Sequence, residues 1–156
     1  MDLEAWATGG VALAVVMGLR RFQLRGAGDL TVDGARFVLV TDVTALRDLF
    51  AATASGRNVL FLHDPGCPIS ARARREMARV GGDLPMVDVR RSHDVRDAVE
   101  TATGIRHESP QVFVLADGRV TWSASHHAIT TAAVRRALAA AGPVPGADAE
   151  EGSGAG

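Results

Sequence analysis

Residues 58–70 read NVLFLHDPGCPIS, a stretch in which a strand turns directly into a helix around the only cysteine of the chain. The apolar run Asn58–His63 predicts a buried central strand. Pro68 fits the first position of a helix, where its missing N–H does no harm. The apolar side of that helix recurs at steps of four, four and three residues, at Ile69, Ala73, Met77 and Val80. A strand–turn–helix unit of this kind is typical of an α/β fold.

The same alternation of strands and helices extends on both sides of this unit. Before it, we expect a strand at Arg36–Val40 and a helix that Asp42 caps. After it, we expect a strand at Pro85–Val89, a helix over Asp94–Thr103, a hairpin of Gln111–Ala116 and Arg119–Ala124 around Asp117-Gly118, and a last helix over Thr130–Ala141. Parallel β-α-β units followed by an antiparallel hairpin are the thioredoxin arrangement. We therefore predict a thioredoxin-like α/β fold with a mixed central sheet flanked by helices.

Additional segments flank this predicted domain, which we place at residues 36–141. Residues 1–25 contain an uncharged stretch, Ala5–Leu19, with three arginines close behind it, as in a membrane anchor whose C-terminal side faces the cytoplasm. A helix of that stretch would rise only about 22 Å against a bilayer core of about 30 Å. An N-terminal apolar helix packed on the domain, or an unordered extension, is therefore the alternative to a tether through residues 5–19. We expect residues 26–35 to be a linker and residues 142–156 to be a disordered tail.

Composition excludes several classes of protein and of site. The chain has 156 residues, 47% of them hydrophobic, and its 17 basic and 18 acidic residues give a net charge of −1. That charge balance argues against a nucleic-acid partner. A chain of this length can form a stable hydrophobic core without disulfides or a bound metal. A single cysteine excludes an intramolecular disulfide. The five histidines show no metal-ligand spacing, so we expect neither a metal nor a bound cofactor.

Cys67 is the only thiol, and its position favours reactivity. It falls at or just before the N-cap of the predicted helix, where free N–H groups and the helix dipole stabilise a thiolate. Ser70, one turn later, stands where a dithiol enzyme carries its resolving cysteine, and its hydroxyl is placed to donate a hydrogen bond to the sulfur. The alternative is that this lone cysteine is a small buried hydrophobe.

Ser109-Pro110 directly precedes the first strand of the predicted hairpin. In a thioredoxin-like fold a cis-proline stands at this place and faces the nucleophile, where the preceding backbone can pair with a substrate chain. A proline at the start of a strand is also common without any such role. Taken together, Cys67 and Pro110 predict a substrate site at one end of the sheet.

Three separate motifs follow one another along the chain: Cys67–Ala71 (CPISA), His107–Gln111 (HESPQ), and Trp122 with Ser125-His126 and Ile129-Thr130. In this order they resemble the motifs of the monothiol bacilliredoxin family. One departure is His127, where an aromatic residue is expected. The resemblance implies a thioredoxin fold, Cys67 as nucleophile and Pro110 as cis-proline. It also implies bacillithiol as a co-substrate, which the protein removes from other proteins that carry it as a mixed disulfide.

Arginines and a histidine near Cys67 are candidates for a supporting role. Arg72 or Arg75 is placed to attract a carboxylate-bearing thiol such as bacillithiol, which carries a malate group; the alternative is a solvated helix face with an ordinary Arg72–Glu76 pair. His63 either tunes the thiol or faces solvent at the end of its strand. The complete predicted set of supporting residues is Pro68, Ser70, Ser109, Pro110, Arg72 and His63.

These observations predict a cytoplasmic monothiol thiol–disulfide oxidoreductase that acts on thiol-modified proteins. Since no second cysteine can resolve an adduct on Cys67, an external thiol or reductase must regenerate it. Two alternatives stay open. A glutathione-dependent monothiol glutaredoxin-like protein would carry Gly-Phe after the cysteine, where this chain has Pro68-Ile69. A non-catalytic module would use the groove beside the cis-proline only to hold a partner.

Overall fold

The computed structural model describes residues 30–32 and 34–141, and this part of the chain contains six strands and four helices. The strands are Leu30–Val32 (β1), Ala35–Leu39 (β2), Arg57–His63 (β3), Gly82–Asp88 (β4), Gln111–Ala116 (β5) and Arg119–Ser125 (β6). The helices are Val43–Ala52 (α1), Pro68–Val80 (α2), His93–Thr103 (α3) and Thr131–Ala140 (α4). Short 3-10 turns stand at Thr53–Ser55 and His126–Ala128.

These strands form one mixed sheet in the order β1-β2-β4-β3-β5-β6. β2, β4 and β3 run parallel, β5 is antiparallel to β3, and the two edge strands β1 and β6 are antiparallel to their neighbours. The predicted central strand is confirmed as β3, whose residues from Val59 to His63 are buried. The carboxyl end of β3, which leads to Cys67, therefore opens near the middle of one end of the sheet.

Helices cover both faces of the sheet, and each face has its own apolar core. On one face, α2 and α4 contribute Met77 and Val134 to a cluster with Phe37 and Phe61. On the other face, α1 and α3 contribute to a second cluster, which contains Leu46, Leu49, Leu60, Leu62, Val95, Val99 and Phe113. Each fully buried side chain of this kind stabilises the fold by about 1.5–3 kcal/mol. The predicted thioredoxin-like α/β architecture, with a mixed sheet between helices, is confirmed.

Local sequence signals set the boundaries that position these elements. The Asp42 carboxylate accepts a hydrogen bond from the Ala45 N–H at 2.8 Å and so caps α1. Asp117 and Gly118 have φ values of 53° and 69°, which is the left-handed pair that a tight hairpin between β5 and β6 requires. Both features agree with the sequence-based predictions.

The predicted linker over residues 26–35 is wrong in its second half. Leu30–Val32 forms β1 and pairs antiparallel with Ala35–Phe37 of β2. Gly34, at φ 81°, permits the reversal between the two strands. A strand of three residues is too short for its alternation to be visible in the sequence, and only pairing with β2 gives it a place.

The N-terminal apolar segment within residues 1–25 and the tail at residues 142–156 lie outside the described residues. Among the helices that are described, none combines the length and the apolar character needed to cross a bilayer.

Candidate active site

Cys67 is the N-cap residue of α2, and its side chain is partly exposed. Its backbone is extended, with φ −101° and ψ 122°, and its carbonyl accepts the Ala71 N–H at 3.0 Å. Pro68 is the first helical residue, as its fixed φ favours. The thiol is therefore carried at the amino end of a 13-residue helix, and its side chain makes no capping hydrogen bond to that helix.

Asp64 shapes the loop that presents this thiol. Its carbonyl accepts the Cys67 N–H at 3.1 Å, and its carboxylate accepts the Gly66 N–H at 2.8 Å. Arg90 lies against the same loop, since its Nε is 4.0 Å from the Asp64 carboxylate and a β-carbon placed on Gly66 would collide with its guanidinium. Asp followed two residues later by Gly is a turn signal. Sequence reasoning did not use that signal.

The Ser70 hydroxyl is fully buried and is used by the protein itself. It accepts the Asp64 N–H at 2.9 Å and lies 2.8 Å from Nδ1 of His63. Because Oγ already accepts from Asp64, its own proton is available to Nδ1 of a neutral His63. The expectation that Ser70 would donate to the sulfur is therefore wrong. The hydroxyl fastens the start of α2 to the end of β3 instead.

His63 is buried, at 7% exposure, and does not face solvent as one of the two sequence-based alternatives holds. Burial lowers the pKa of His63, and the positive charge of Arg74 lowers this pKa further. The ring is therefore neutral near pH 7, in agreement with the hydrogen bond that Ser70 donates to Nδ1. His63, Asp64 and Ser70 thus form one hydrogen-bonded unit at the end of β3.

The Ser109–Pro110 peptide bond is cis, and Pro110 is buried at the end of the sheet. The antiparallel register of β3 and β5 pairs Leu62 with Gln111, which puts Pro110 beside the end of β3 and next to the loop that carries Cys67. The Pro110 carbonyl accepts the His126 N–H at 3.0 Å. The structure thus brings Pro110 and Cys67 to the same end of the sheet.

Gln111 holds the segment that leads to Pro110. Its buried side-chain amide accepts the Glu108 N–H at 3.1 Å and donates to the Arg106 carbonyl at 3.3 Å. Ser109 Oγ is buried without a hydrogen-bond partner among the described residues. Gln111 is a positioning residue. It belongs to the motif His107–Gln111 but was assigned no role from the sequence, although a glutamine in a run of apolar strand residues was a usable signal.

The three arginines in the first two turns of α2 separate into two sets. Arg72 Nη1 lies 3.2 Å from Nδ1 of His127, in the turn that His126 fastens to Pro110. The alternative Arg72–Glu76 pair is not formed, because Glu76 binds Arg79 at 2.8 Å and accepts two hydrogen bonds from Thr131. The other set, Arg74 and Arg75, lines a cavity on the His63 side of the helix.

Side chains suited to metal binding are scattered through residues 34–141. No group of three or more His, Cys, Asp or Glu side chains in the described range is arranged to hold a metal ion. The chemistry that the site offers therefore centres on one thiol beside a helix terminus and a cis-proline.

The comparison with protein families identifies the group to which this site belongs. The model of the family described as monothiol bacilliredoxin BrxC matches residues 39–134, which is more than half of the chain. The chain belongs to this family. The match includes Cys67, Ser70 and Pro110, and it places the protein among those that act by thiol–disulfide chemistry.

Solved structures agree with this family in fold. One similar structure is described as a putative oxidoreductase with a thioredoxin fold. It is 21% identical to this chain with a TM-score of 0.59, and the match covers 65% of this chain and 92% of that one. Thioredoxin from Fasciola hepatica is 11% identical with a TM-score of 0.55, over 98% of that chain and 67% of this one. A mutant thioredoxin from Halobacterium salinarum is 16% identical with a TM-score of 0.54, over 100% of that chain and 76% of this one. At these identities the likeness shows the fold alone.

Proposed function

We propose that this bacilliredoxin family member removes bacillithiol from proteins that carry it as a mixed disulfide, with Cys67 as the nucleophile. The observation that carries the proposal is the pairing of one partly exposed thiol at the N-cap of α2 with a fully buried serine three residues later. A thiol in that place can accept a small thiol from a disulfide. The serine cannot then displace it.

The exchange proceeds in one displacement. The Cys67 thiolate attacks the bacillithiol sulfur of the mixed disulfide, and a new disulfide forms between Cys67 and bacillithiol. The bond between bacillithiol and the substrate cysteine breaks, and that cysteine leaves as a thiolate which takes a proton from water. No electrons are gained or lost overall, because one disulfide replaces another.

The segment beside Pro110 is suited to bind the substrate protein. Ser109 Oγ is buried without a partner among the described residues, and a backbone N–H of an extended substrate segment would supply one. Gln111 holds the backbone of this segment rigid through its contacts with Arg106 and Glu108. The substrate cysteine would then lie between Pro110 and Cys67.

Regeneration of Cys67 requires a second molecule. The chain has one cysteine, so no internal thiol can attack the adduct. A free external thiol, as its thiolate, attacks the bacillithiol sulfur, releases Cys67 and leaves as a disulfide with bacillithiol. A dithiol reductase would serve equally well, since its second thiol completes the reduction.

A transfer assay with two modified substrates tests the proposal. One carrier protein with a single cysteine is loaded with either bacillithiol or glutathione, and the free carrier thiol is followed after the full chain is added. We expect faster release from the bacillithiol adduct, and no release by Cys67→Ser. Equal rates for the two adducts would rule out bacillithiol as the preferred co-substrate. Release by Cys67→Ser as fast as by the parent chain would rule out the mechanism.

A further inference from the structure

A cavity lies beside the first two turns of α2. It has a volume of about 250 Å³ and is lined by His63, Pro65, Ala71, Arg74 and Arg75. Cavities that hold whole small molecules measure about 300–1,000 Å³. This one is therefore of a size to hold part of a small thiol.

The lining is basic, and none of the described residues that form it carries a carboxylate. Arg75 is exposed and forms no hydrogen bond or ion pair within the described part of the chain. Arg74 is held in place by its guanidinium, which stacks 5.1 Å from the centre of the Phe37 ring. Its Nε is buried and lacks a hydrogen-bond acceptor among the described residues. A buried donor of this kind calls for an acceptor that the protein does not supply.

The cavity is adjacent to the reacting sulfur along the chain. Pro65 precedes Cys67 by two residues, and Ala71 is the residue whose N–H bonds to the Cys67 carbonyl. Residues on both sides of Cys67 in the chain therefore line the cavity. Recognition of the small thiol here requires that a group attached to the sulfur reach this cavity.

We propose that this cavity is an anion subsite, in which Arg74 and Arg75 bind a carboxylate carried by the small thiol that Cys67 accepts. The inference rests on the proposed exchange reaction and names the substrate feature that it selects. Guanidinium groups bind carboxylates through paired, charge-assisted hydrogen bonds. Arg74 and Arg75 line the cavity, whereas Arg72 Nη1 lies 3.2 Å from Nδ1 of His127.

Matched probes test this subsite. One reporter peptide is joined by a disulfide to 3-mercaptopropionate or to its neutral amide, which has almost the same size. The rate of transfer of the small thiol to Cys67 is measured for each probe at low salt. It is divided by the rate at which the same probe reacts with a free small thiol in solution, which corrects for the intrinsic reactivity of its disulfide. We expect the wild-type chain to prefer the carboxylate probe by about tenfold. Arg74→Gln should remove most of this preference, and the exposed Arg75→Gln should reduce it.

Arg136→Gln is the matched control, because it removes one exposed positive charge from α4, outside the cavity. It should keep the full preference. If Arg74→Gln fails to fold by circular dichroism, a reduced preference in Arg75→Gln still supports the subsite, and an unchanged one overturns it. A third probe carries the carboxylate on the peptide side of the disulfide. If this third probe is preferred over the neutral amide probe as strongly as 3-mercaptopropionate is, the cavity does not recognise the carboxylate of the small thiol.

The two proposals fail in different ways. If Cys67 accepts both small thiols at equal normalised rates, the exchange reaction stands and the anion subsite is overturned. If the wild-type chain accepts neither probe but takes bacillithiol from the loaded carrier protein, the anion subsite is overturned and the exchange reaction stands. If it accepts none of the three, the exchange reaction itself is overturned.

Discussion

The Ser70 hydroxyl lies 2.8 Å from Nδ1 of His63, and both side chains are buried at the junction of β3 and α2. The same hydroxyl accepts the Asp64 N–H at 2.9 Å. One serine thus joins the last residue of the central strand, the first residue of the active-site loop and the first turn of the helix that carries Cys67. Ser70, which occupies the position of a resolving cysteine, therefore stabilises the junction of β3 and α2.

Ser70→Ala should lower the free energy of unfolding by about 1–3 kcal/mol, since it leaves the Asp64 N–H and the His63 ring without their buried partner. Urea denaturation of the full chain measures the change. Ser123→Ala, at an exposed position of β6, is the control and should change stability by less than about 0.5 kcal/mol. Equal effects of the two substitutions would contradict the role assigned to the Ser70 hydroxyl.

Ser70→Cys should convert the protein from one that holds its adduct to one that releases it. The new thiol would stand one helical turn from Cys67, at the spacing of dithiol redox enzymes, and could displace bacillithiol by forming an internal disulfide. After one turnover without external thiol, we expect free bacillithiol with Ser70→Cys and a stable adduct with the parent chain. A persistent adduct in the variant would show that this position cannot reach the sulfur.

The stability of the protein should fall as the pH drops below about 6.5. The unfolded chain binds a proton on His63 near pH 6.5, whereas burial and, secondarily, the charge of Arg74 lower the pKa of the folded state. The unfolded state therefore gains protons first, so the contribution of His63 to the free energy of unfolding is constant above this pH and decreases below it. Burial also lowers the pKa of His107, which adds to the same slope.

His63→Asn isolates the first of these two contributions. The asparagine carbonyl can take the place of Nδ1 and accept from Ser70, but it does not titrate. Denaturation between pH 8 and pH 5 should give a shallower dependence for the variant than for the parent chain, with the His107 contribution remaining. Identical slopes would contradict the lowered pKa of His63.

Glu76 should stabilise the contact between α2 and α4 in its ionised form. Its carboxylate accepts the Thr131 N–H at 2.9 Å and the Thr131 hydroxyl at 2.8 Å, and these bonds lower the pKa of Glu76. Glu76→Ala should cost about 1–3 kcal/mol at pH 7. The loss should shrink as the pH falls below 4.5, where the unfolded-state carboxylate becomes protonated. Asp48→Ala, on the exposed side of α1, is the control and should leave the free energy of unfolding almost unchanged.

Most of the fold could be predicted because its signals are local. The run 58–63 and the apolar spacing of α2 define the unit around Cys67, and Asp117-Gly118 defines the hairpin. β1 escaped prediction because three residues carry no readable alternation, and its place depends on pairing with β2. Tertiary pairing, which no window of sequence contains, decided that strand.

The residues of the candidate site could be predicted from the sequence, but most of the contacts between their side chains could not. Ser70 lies on the buried face of α2 with Ala73 and Met77, at spacings of three and seven, so its burial could have been inferred from the sequence. The packing of Arg74 on Phe37 could not have been inferred in the same way. An arginine on an amphipathic helix predicts a solvent-exposed side chain, whether or not that side chain stacks on a ring. Side-chain direction at the edge of the buried face is decided by packing, which the pattern does not specify.

Intact-mass spectrometry after a single turnover shows whether Cys67 itself takes up the small thiol. The full chain, reduced and freed of reductant, is mixed with an equal amount of a carrier protein that bears bacillithiol on its one cysteine. We expect the chain to gain one bacillithiol group, mapped to Cys67, as the carrier loses its own. If the carrier loses bacillithiol while Cys67 stays unmodified, or loses it equally to Cys67→Ser, Cys67 is not the acceptor.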